Sequence, residues 1–386
     1  MAATSTRFTE EQLEFAAAVR EFCRRECGTR EQLDALTHGG TEQHSPELYA
    51  KLAATGYIGV SLPEEYDGSG GGIIEQVLLF EELWYGLAPV HGAGTSHTVA
   101  GIYKRFASEE QKKATLSAIA SGTVMSISVS EPQAGSDAAN ISCKATRVPG
   151  GYRINGQKTW CSDAQFAANI TVVTRTDRGD NPHQGLTMLD VPAGAEGLAI
   201  HPIDTMGGRE VNNLFFTDVF VPDAQVVGEV GEGWRQLMAG LNGERVVCAA
   251  QGLGMMQRTF DDLLAYLKER KQFGQPIGSF QAVRHRVADL ALEIESARAL
   301  TYDTALRLER SLGTPQELIR LTSMAKVKVT ETAKRVALEG VQLMGGYGYA
   351  VEYGMEAHLR RAIPATIYAG TNEIQREIIA GSYGLR

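Results

Sequence analysis

Glu244 is the residue of this 386-residue chain whose type and setting most suggest chemistry. Trp234, Leu237, Leu241, Cys248 and Met256 recur at helical spacing and define one apolar stripe. Glu244 falls on that stripe, three residues after Leu241 and four before Cys248. Burial of a carboxyl raises its pKa toward the working pH, which a general base requires. Gly240 and Gly243 lie on the preceding turn, where missing side chains leave room for a ligand. Arg245 projects about 100° further round the helix, where it could hold a phosphate at a cavity mouth. An ion pair between Glu244 and an arginine of a neighbouring helix fits the same spacing, so the pattern alone leaves both readings open.

Several other chemistries lack their residues. The pairs Gly68–Gly70, Gly92–Gly94 and Gly252–Gly254 begin a Gly-x-Gly-x-x-Gly pattern and none completes it, which disfavours a Rossmann nucleotide site. There is no P-loop, no Gly-x-Ser-x-Gly elbow and no zinc signature. The run from Pro63 to Gly72 lacks the Lys-Ser/Thr of a phosphate cradle and reads as a plain loop. Cys23, Cys27, Cys143, Cys161 and Cys248 form no Cys-x-x-Cys and point to a reducing compartment. Cys23 and Cys27, one helical turn apart, read as helix packing rather than metal ligands. The net charge is −9 with no block of like charges, so nucleic acid is not an expected partner. No apolar run approaches the ~18 residues of a membrane span. Phe8 already opens a helical pattern, so no signal or transit peptide is expected. The expected location is a bacterial cytoplasm, with a processed mitochondrial matrix form as the other possibility.

Positioning Glu244 requires a scaffold, and the chain changes character twice. Residues 1–122 read as helical, with a capping box at Thr9-x-x-Gln12 and helical patterns over Ile73–Leu87 and about Ser108–Ala120. Residues 123–230 carry short strands at Val124–Val129, Tyr152–Ile154, Ile170–Arg175, Leu186–Val191, Leu198–Ile203 and Leu214–Val221. Short strands punctuated by Gly, Pro, Asn and Asp suggest a small β barrel or sandwich, and the absence of interleaved helices argues against a parallel α/β sheet. Residues 231–386 return to helical period. Helices are expected from Trp234 to about Lys268, from Ser279 to about Arg310, from the capping box Thr314-Pro-Gln-Glu317 onward, and after Thr371. The predicted class is α+β multidomain: N-terminal helical domain, middle β barrel, C-terminal four-helix bundle.

Five segments, in this order, resemble motifs of the acyl-CoA dehydrogenase family. They are Ser130-Glu-Pro-Gln-Ala-Gly-Ser-Asp137, Gly156-Gln-Lys-Thr-Trp-Cys-Ser162, Arg270-Lys-Gln-Phe-Gly-Gln-Pro276, Gln342-Leu-Met-Gly-Gly-Tyr-Gly348 and Ile367-Tyr-Ala-Gly-Thr-Asn-Glu373. The likeness spans essentially the whole chain. It implies FAD, and oxidation of the Cα–Cβ bond of an acyl-CoA thioester to the trans-2-enoyl-CoA. Carried over by position, Ile127, Val129, Ser130, Gly135, Ser136, Trp160, Cys161 and Ser162 would face the flavin within one subunit. The Ser130 hydroxyl would bond the ring's polar edge, and Trp160 would pack on the isoalloxazine. Arg270, Phe273, Phe280, Gln281, Gln342, Gly345, Gly346, Thr371 and Glu373 would contact the FAD of a neighbouring subunit, with Arg270 supplying charge for the pyrophosphate. Both halves in one chain favour a homo-oligomer, and the resemblance suggests a tetramer. Ser136, Asn242, Arg245, Ala369 and Gly370 match substrate-binding positions, with the Ala369 amide against the thioester carbonyl. Electrons would leave to an electron-transfer flavoprotein.

The chain departs from the family at the base. Many members carry it inside Tyr-Glu-Gly-Thr, where this sequence has Tyr368-Ala-Gly-Thr371. A minority branch, including isovaleryl-CoA and long-chain enzymes, places a Glu before an Arg on the long bundle helix, and Glu244-Arg245 resembles that arrangement. Glu244 is therefore expected to take the α proton as the β hydride moves to flavin N5. The alternatives are a flavin-dependent monooxygenase or oxidase on the same fold and an inactive acyl-CoA-binding homologue. Gly92 to Ser96, facing Gly240 and Gly243, suggest a wide pocket for a branched, cyclic or long acyl group. Asp67 and Arg361 replace a usual Gly and a frequent Asp, which touches loop shape and one ion pair.

Overall fold

Side-chain caps start most of the helices. In the computed structural model, which describes residues 8–385, the capping boxes at Thr9/Gln12, Ser108/Gln111 and Thr314/Glu317 all form. Six helices precede the strands: α1 (Glu10–Cys27), α2 (Arg30–Leu36), α3 (Pro46–Ala54), α4 (Ile73–Tyr85), α5 (Gly92–Phe106) and α6 (Glu109–Ala120). The strands are β1 (Met125–Ser128), β2 (Lys144–Val148), β3 (Gly151–Ser162), β4 (Asn169–Arg175), β5 (Leu186–Pro192), β6 (Leu198–Thr205), β7 (Gly208–Pro222) and β8 (Val226–Val227). There follow α7 (Gly233–Glu269), a short hairpin of β9 (Lys271–Gln272) and β10 (Gln275–Pro276), then α8 (Gln281–Glu309) and α9 (Pro315–Met344). The chain closes with α10 (Gly346–Tyr349), α11 (Met355–Ala362) and α12 (Asn372–Ser382).

The chain divides into two compact units, with the boundary inside α7 between Glu244 and Arg245. The first comprises Leu33–Gly71 and Pro89–Glu244. Its sheet runs β6-β7-β3-β2-β4-β5-β8, with β1 added parallel to β4. β3 and β7 form the longest antiparallel pair, from Gly151 opposite Pro222 to Ser162 opposite Val211. Its core is apolar and tightly closed: Ile154, Ile170, Val172, Leu189, Leu214 and Val219 are inaccessible to solvent. The Gly-rich run is a loop, as expected, folded back by Ser69 N to Gly59 O and Gly70 N to Leu62 O hydrogen bonds. Asp67 sits there at φ 61°, a left-handed conformation that Asp tolerates.

Among the described residues, the second unit holds 8–32, Gly72–Ala88 and 245–385. Here α7 from Arg245 on, α8 and α9 are the long helices, and the shorter α12 packs against α9. Gly252 and Gly254 serve packing, not nucleotide binding. A Cβ on Gly252 would lie 2.4 Å from Val329 of α9, and one on Gly254 would lie 2.2 Å from the Glu81 carbonyl oxygen of α4. Cys23 and Cys27 are buried on α1 and donate weakly to the Glu82 and Gly86 carbonyls. Arg298 and Tyr302 of α8 both bond the buried Glu81 carboxylate, while Arg20 takes Glu82 in two bonds of 2.6 and 2.7 Å. No described helix is long and apolar enough to cross a membrane.

Two expectations need correction. β3 spans twelve residues, far beyond Tyr152–Ile154, because Lys158 points into the interior and breaks the apolar alternation. β2 was not expected at all: Lys144, Thr146 and Arg147 are exposed, and only Ala145 is deeply buried.

Candidate functional site

In the first unit, the segment after β1 meets the end of β3. The Lys158 ammonium, wholly buried, donates to the Val129 carbonyl at 2.8 Å and to the Glu131 carboxylate at 2.8 Å. Thr159 N donates to the Ser130 carbonyl at 2.9 Å. Glu131 also accepts from Ser142 N at 2.7 Å and Cys143 N at 2.8 Å. Burial works against its ionisation, yet Lys158 and those amides hold its carboxyl below the usual carboxylate range. The same burial lowers the Lys158 ammonium, against the pull of Glu131.

Just past this anchor the β3–β7 register slips between Lys158 and Cys161. Trp160 stands at the slip with φ 59° and a side chain 59% exposed. A bulky residue in a left-handed conformation with its ring in solvent is a costly arrangement, of the kind that collects at ligand sites. Ile127, Val129, Ser130 and Ser162 are half-buried nearby in sequence, and Gly135 and Ser136 are exposed. The Cys161 thiol points inward, 3.5 Å from the Ile127 carbonyl and 3.3 Å from the Ser126 hydroxyl, and burial lifts it to about 11. Its carbonyl accepts from Asn212 Nδ2 at 3.0 Å. Next along the chain, Asp163 holds His91 at 2.7 Å; burial opposes protonation there, but the carboxylate lifts the imidazole to about 9.

The second unit brings together much of the other predicted set. A groove of about 570 Å³ is lined by Arg270, Gln272, Gln342, Gly345, Gly346 and Tyr347, among others. The Arg270 guanidinium lies 4.9 Å from the Tyr347 ring centroid. Added Cβ atoms on Gly345 and Gly346 would meet nothing within 4 Å, so backbone is open to a ligand there. Phe273 is 93% exposed at φ 52° in the β9–β10 turn and meets Phe280 edge to face at 6.0 Å. Gln281, the first residue of α8, is exposed. Thr371 caps α12 by accepting from Ile374 N at 3.3 Å. Glu373 follows in the first turn, and its own backbone amide and Thr371 hold its carboxyl below the usual range.

The loop before α12 is set by buried polar groups that sequence reasoning missed. Ala369 and Gly370 both have positive φ, 54° and 77°. The buried Lys326 of α9 donates to the Gly370 carbonyl at 3.0 Å and to Asn372 Oδ1 at 2.9 Å. Gln375 Nε2 donates to the Ala369 carbonyl at 3.1 Å. With carbonyls turned onto these donors, the loop's conformation is fixed by side chains, not by its own sequence.

Glu244 lies in the first third of the 37-residue α7 and is half-buried, as is Asn242. Arg245 is only 5% exposed, more deeply buried than Glu244, so it does not stand at an open mouth. Gly240 is a packing glycine: a Cβ there would lie 2.4 Å from Ile102 of α5. Gly92 is likewise closed in by His44 and Val124 at 3.0 Å, and Ser96 is buried, accepting from Met125 N at 3.0 Å. Gly243, by contrast, faces open space. The described residues hold no cluster of three or more metal-ligating side chains.

Residue types that a flavin dinucleotide uses are present: an exposed aromatic at Trp160 and, separately, a guanidinium at Arg270 with open glycine backbone at Gly345 and Gly346. Comparison with known proteins identifies the family. Family models described as acyl-CoA dehydrogenase N-terminal, middle and C-terminal domains match residues 9–123, 126–219 and 231–384. A probable acyl-CoA dehydrogenase of Bacillus subtilis, YngJ, is 36% identical over 96% of this chain and 97% of its own. The mitochondrial isovaleryl-CoA dehydrogenase of Solanum tuberosum is 33% identical over 97% of this chain and 91% of its own. The crystal structure of an acyl-CoA dehydrogenase from Geobacillus kaustophilus superimposes with a TM-score of 0.93 at 32% identity, covering 99% of this chain and 100% of that one. The chain therefore belongs to the acyl-CoA dehydrogenase family, three-domain oxidoreductases that use FAD.

Proposed function

We propose that this enzyme oxidises the Cα–Cβ bond of an acyl-CoA to the trans-2-enoyl-CoA, with Glu244 as the base. The observation that carries the reading is the exchange of carboxylates. Position 369, between Tyr368 and Gly370, holds an alanine, while a half-buried glutamate stands three turns into α7 at 244 beside an arginine. Glu244 removes the α proton from a substrate whose carbonyl rests against the Ala369 amide, which offsets the charge growing on that oxygen. Bound FAD supplies the acceptor for the β hydride. Ser136, Asn242, Arg245 and Gly370 complete the thioester site. Ser130 and Trp160 hold the ring from one subunit, while Arg270, Gln342, Gly346 and Thr371 hold the cofactor of a neighbour. The assembly is a homotetramer that passes electrons to an electron-transfer flavoprotein in the cytoplasm. The three domains meet near residues 122 and 230.

Likeness to isovaleryl-CoA dehydrogenase supports a branched acyl group. Glu244→Gln is expected to bind FAD and acyl-CoA as the parent does and to lose roughly a hundredfold or more in kcat. Retained turnover in that variant would place the base elsewhere. A panel of linear, branched and cyclic acyl-CoAs, read by flavin bleaching, assigns the acyl class, and slow reoxidation by air separates dehydrogenase from oxidase.

A further inference from the structure

We propose that Lys158 is a positioning residue for the flavin, acting through the Ser130 peptide and the Trp160 turn. The inference rests on the reading that Ser130 and Trp160 face the ring. Lys158 Nζ reaches the carbonyl of Val129 and the carboxylate of Glu131, the residues on either side of Ser130. The next residue, Thr159, bonds the Ser130 carbonyl itself. Three consecutive residues of the Ser130 segment are thus tied to two consecutive residues of β3. Trp160 follows at once, where the β3–β7 register slips. The ammonium therefore sets the distance between the hydroxyl of Ser130 and the ring of Trp160.

Stability alone does not account for such a pair. Lys158 is 0% and Glu131 is 1% exposed in the side chain. Two charges taken from water cost more than an apolar pair of similar volume, and replacing such pairs is often neutral or stabilising. What an apolar pair cannot do is bond the Val129 carbonyl and fix the peptide beyond it. Glu131 is held in turn by the Ser142 and Cys143 amides, so the anchor reaches the start of β2.

The test uses holoenzyme of the double variant Lys158→Met/Glu131→Gln, which leaves no uncompensated buried charge and keeps an oxygen for the two amides. Melting temperature is expected to stay near that of the parent. FAD should bind about tenfold more weakly, the loss of one charged hydrogen bond. The kcat should fall about a hundredfold, as for a misplacement near 1 Å, with KM for acyl-CoA unchanged. Flavin fluorescence should rise as Trp160 leaves the ring. Glu131→Gln alone keeps the bond to Val129 and should move the same readouts less, which preserves the test if the double variant does not fold. Parental FAD affinity, emission and kcat in either folded variant, or a loss confined to melting temperature, would overturn the proposal. Trp160→Phe is measured alongside. If it leaves flavin emission unaltered, the flavin-facing reading itself fails and takes this proposal with it. If it changes emission while the double variant does not, Lys158 alone is misassigned.

Discussion

Among the described residues, six that are neither Gly, Asn nor Asp have positive φ; His38, Leu87 and Ser311 lie outside the motifs, and Trp160, Phe273 and Ala369 lie within them. Trp160, Phe273 and Ala369 all have φ between 52° and 59° without being glycine, Asn or Asp. A left-handed conformation costs an ordinary residue about 1–2 kcal/mol, and such costs persist where the surrounding structure imposes them. Trp160 gains little in the free chain, because most of its ring is in solvent. Trp160→Gly is therefore expected to stabilise the apoprotein by about 1 kcal/mol while weakening FAD binding. Thermal melts with and without added FAD read both effects. A variant less stable than the parent without cofactor would show that the Trp160 ring packs to advantage in the empty fold.

Between elements, glycines decide how closely helices approach. Gly240 of α7 lies against Ile102 of α5, whereas Gly243 one turn on faces open space. Gly240→Val is expected to cost about 1–3 kcal/mol through overpacking. Gly243→Ala should add up to about 1 kcal/mol from helix propensity. If the open side of Gly243 borders the acyl chain, Gly243→Ala also shifts kcat/KM toward smaller acyl groups, measured across the acyl-CoA panel. Unequal legibility of the sequence has the same origin. Helices were readable because caps and apolar stripes are local: Thr9, Ser108 and Thr314 each carry their own signal. The central part of β3 was not, because Lys158 is interior only through a partner at Glu131, distant in sequence. The inward turn of the Cys161 thiol was likewise not readable, because it depends on residue alternation past the β3 slip. Glycines at 92 and 240 looked like pocket walls because a missing Cβ reads alike in sequence whether helix or ligand fills the space.

At the scale of the whole molecule, both predicted half-sites belong to one chain but to different compact units. Ser130 and Trp160 lie in the first, Arg270 and the Gly345–Gly346 backbone in the second. Phe273, almost wholly exposed on a two-strand hairpin, is the kind of apolar tip that a neighbouring copy covers. If each FAD is held by two subunits, a defect in one half-site can be complemented by another chain. Arg270→Ala cripples the second half and Lys158→Met/Glu131→Gln the first. Each alone should have little activity. Co-expressed in equal amounts, random mixing makes both halves of a site intact with a probability of about one quarter in a closed homo-oligomer, so activity should return to roughly that fraction of the parent. Tagging one variant and purifying through the tag confirms that chains have mixed. Mixed oligomers with no more activity than the average of the two variants would show that each FAD is bound within a single subunit, and the composite site would fall.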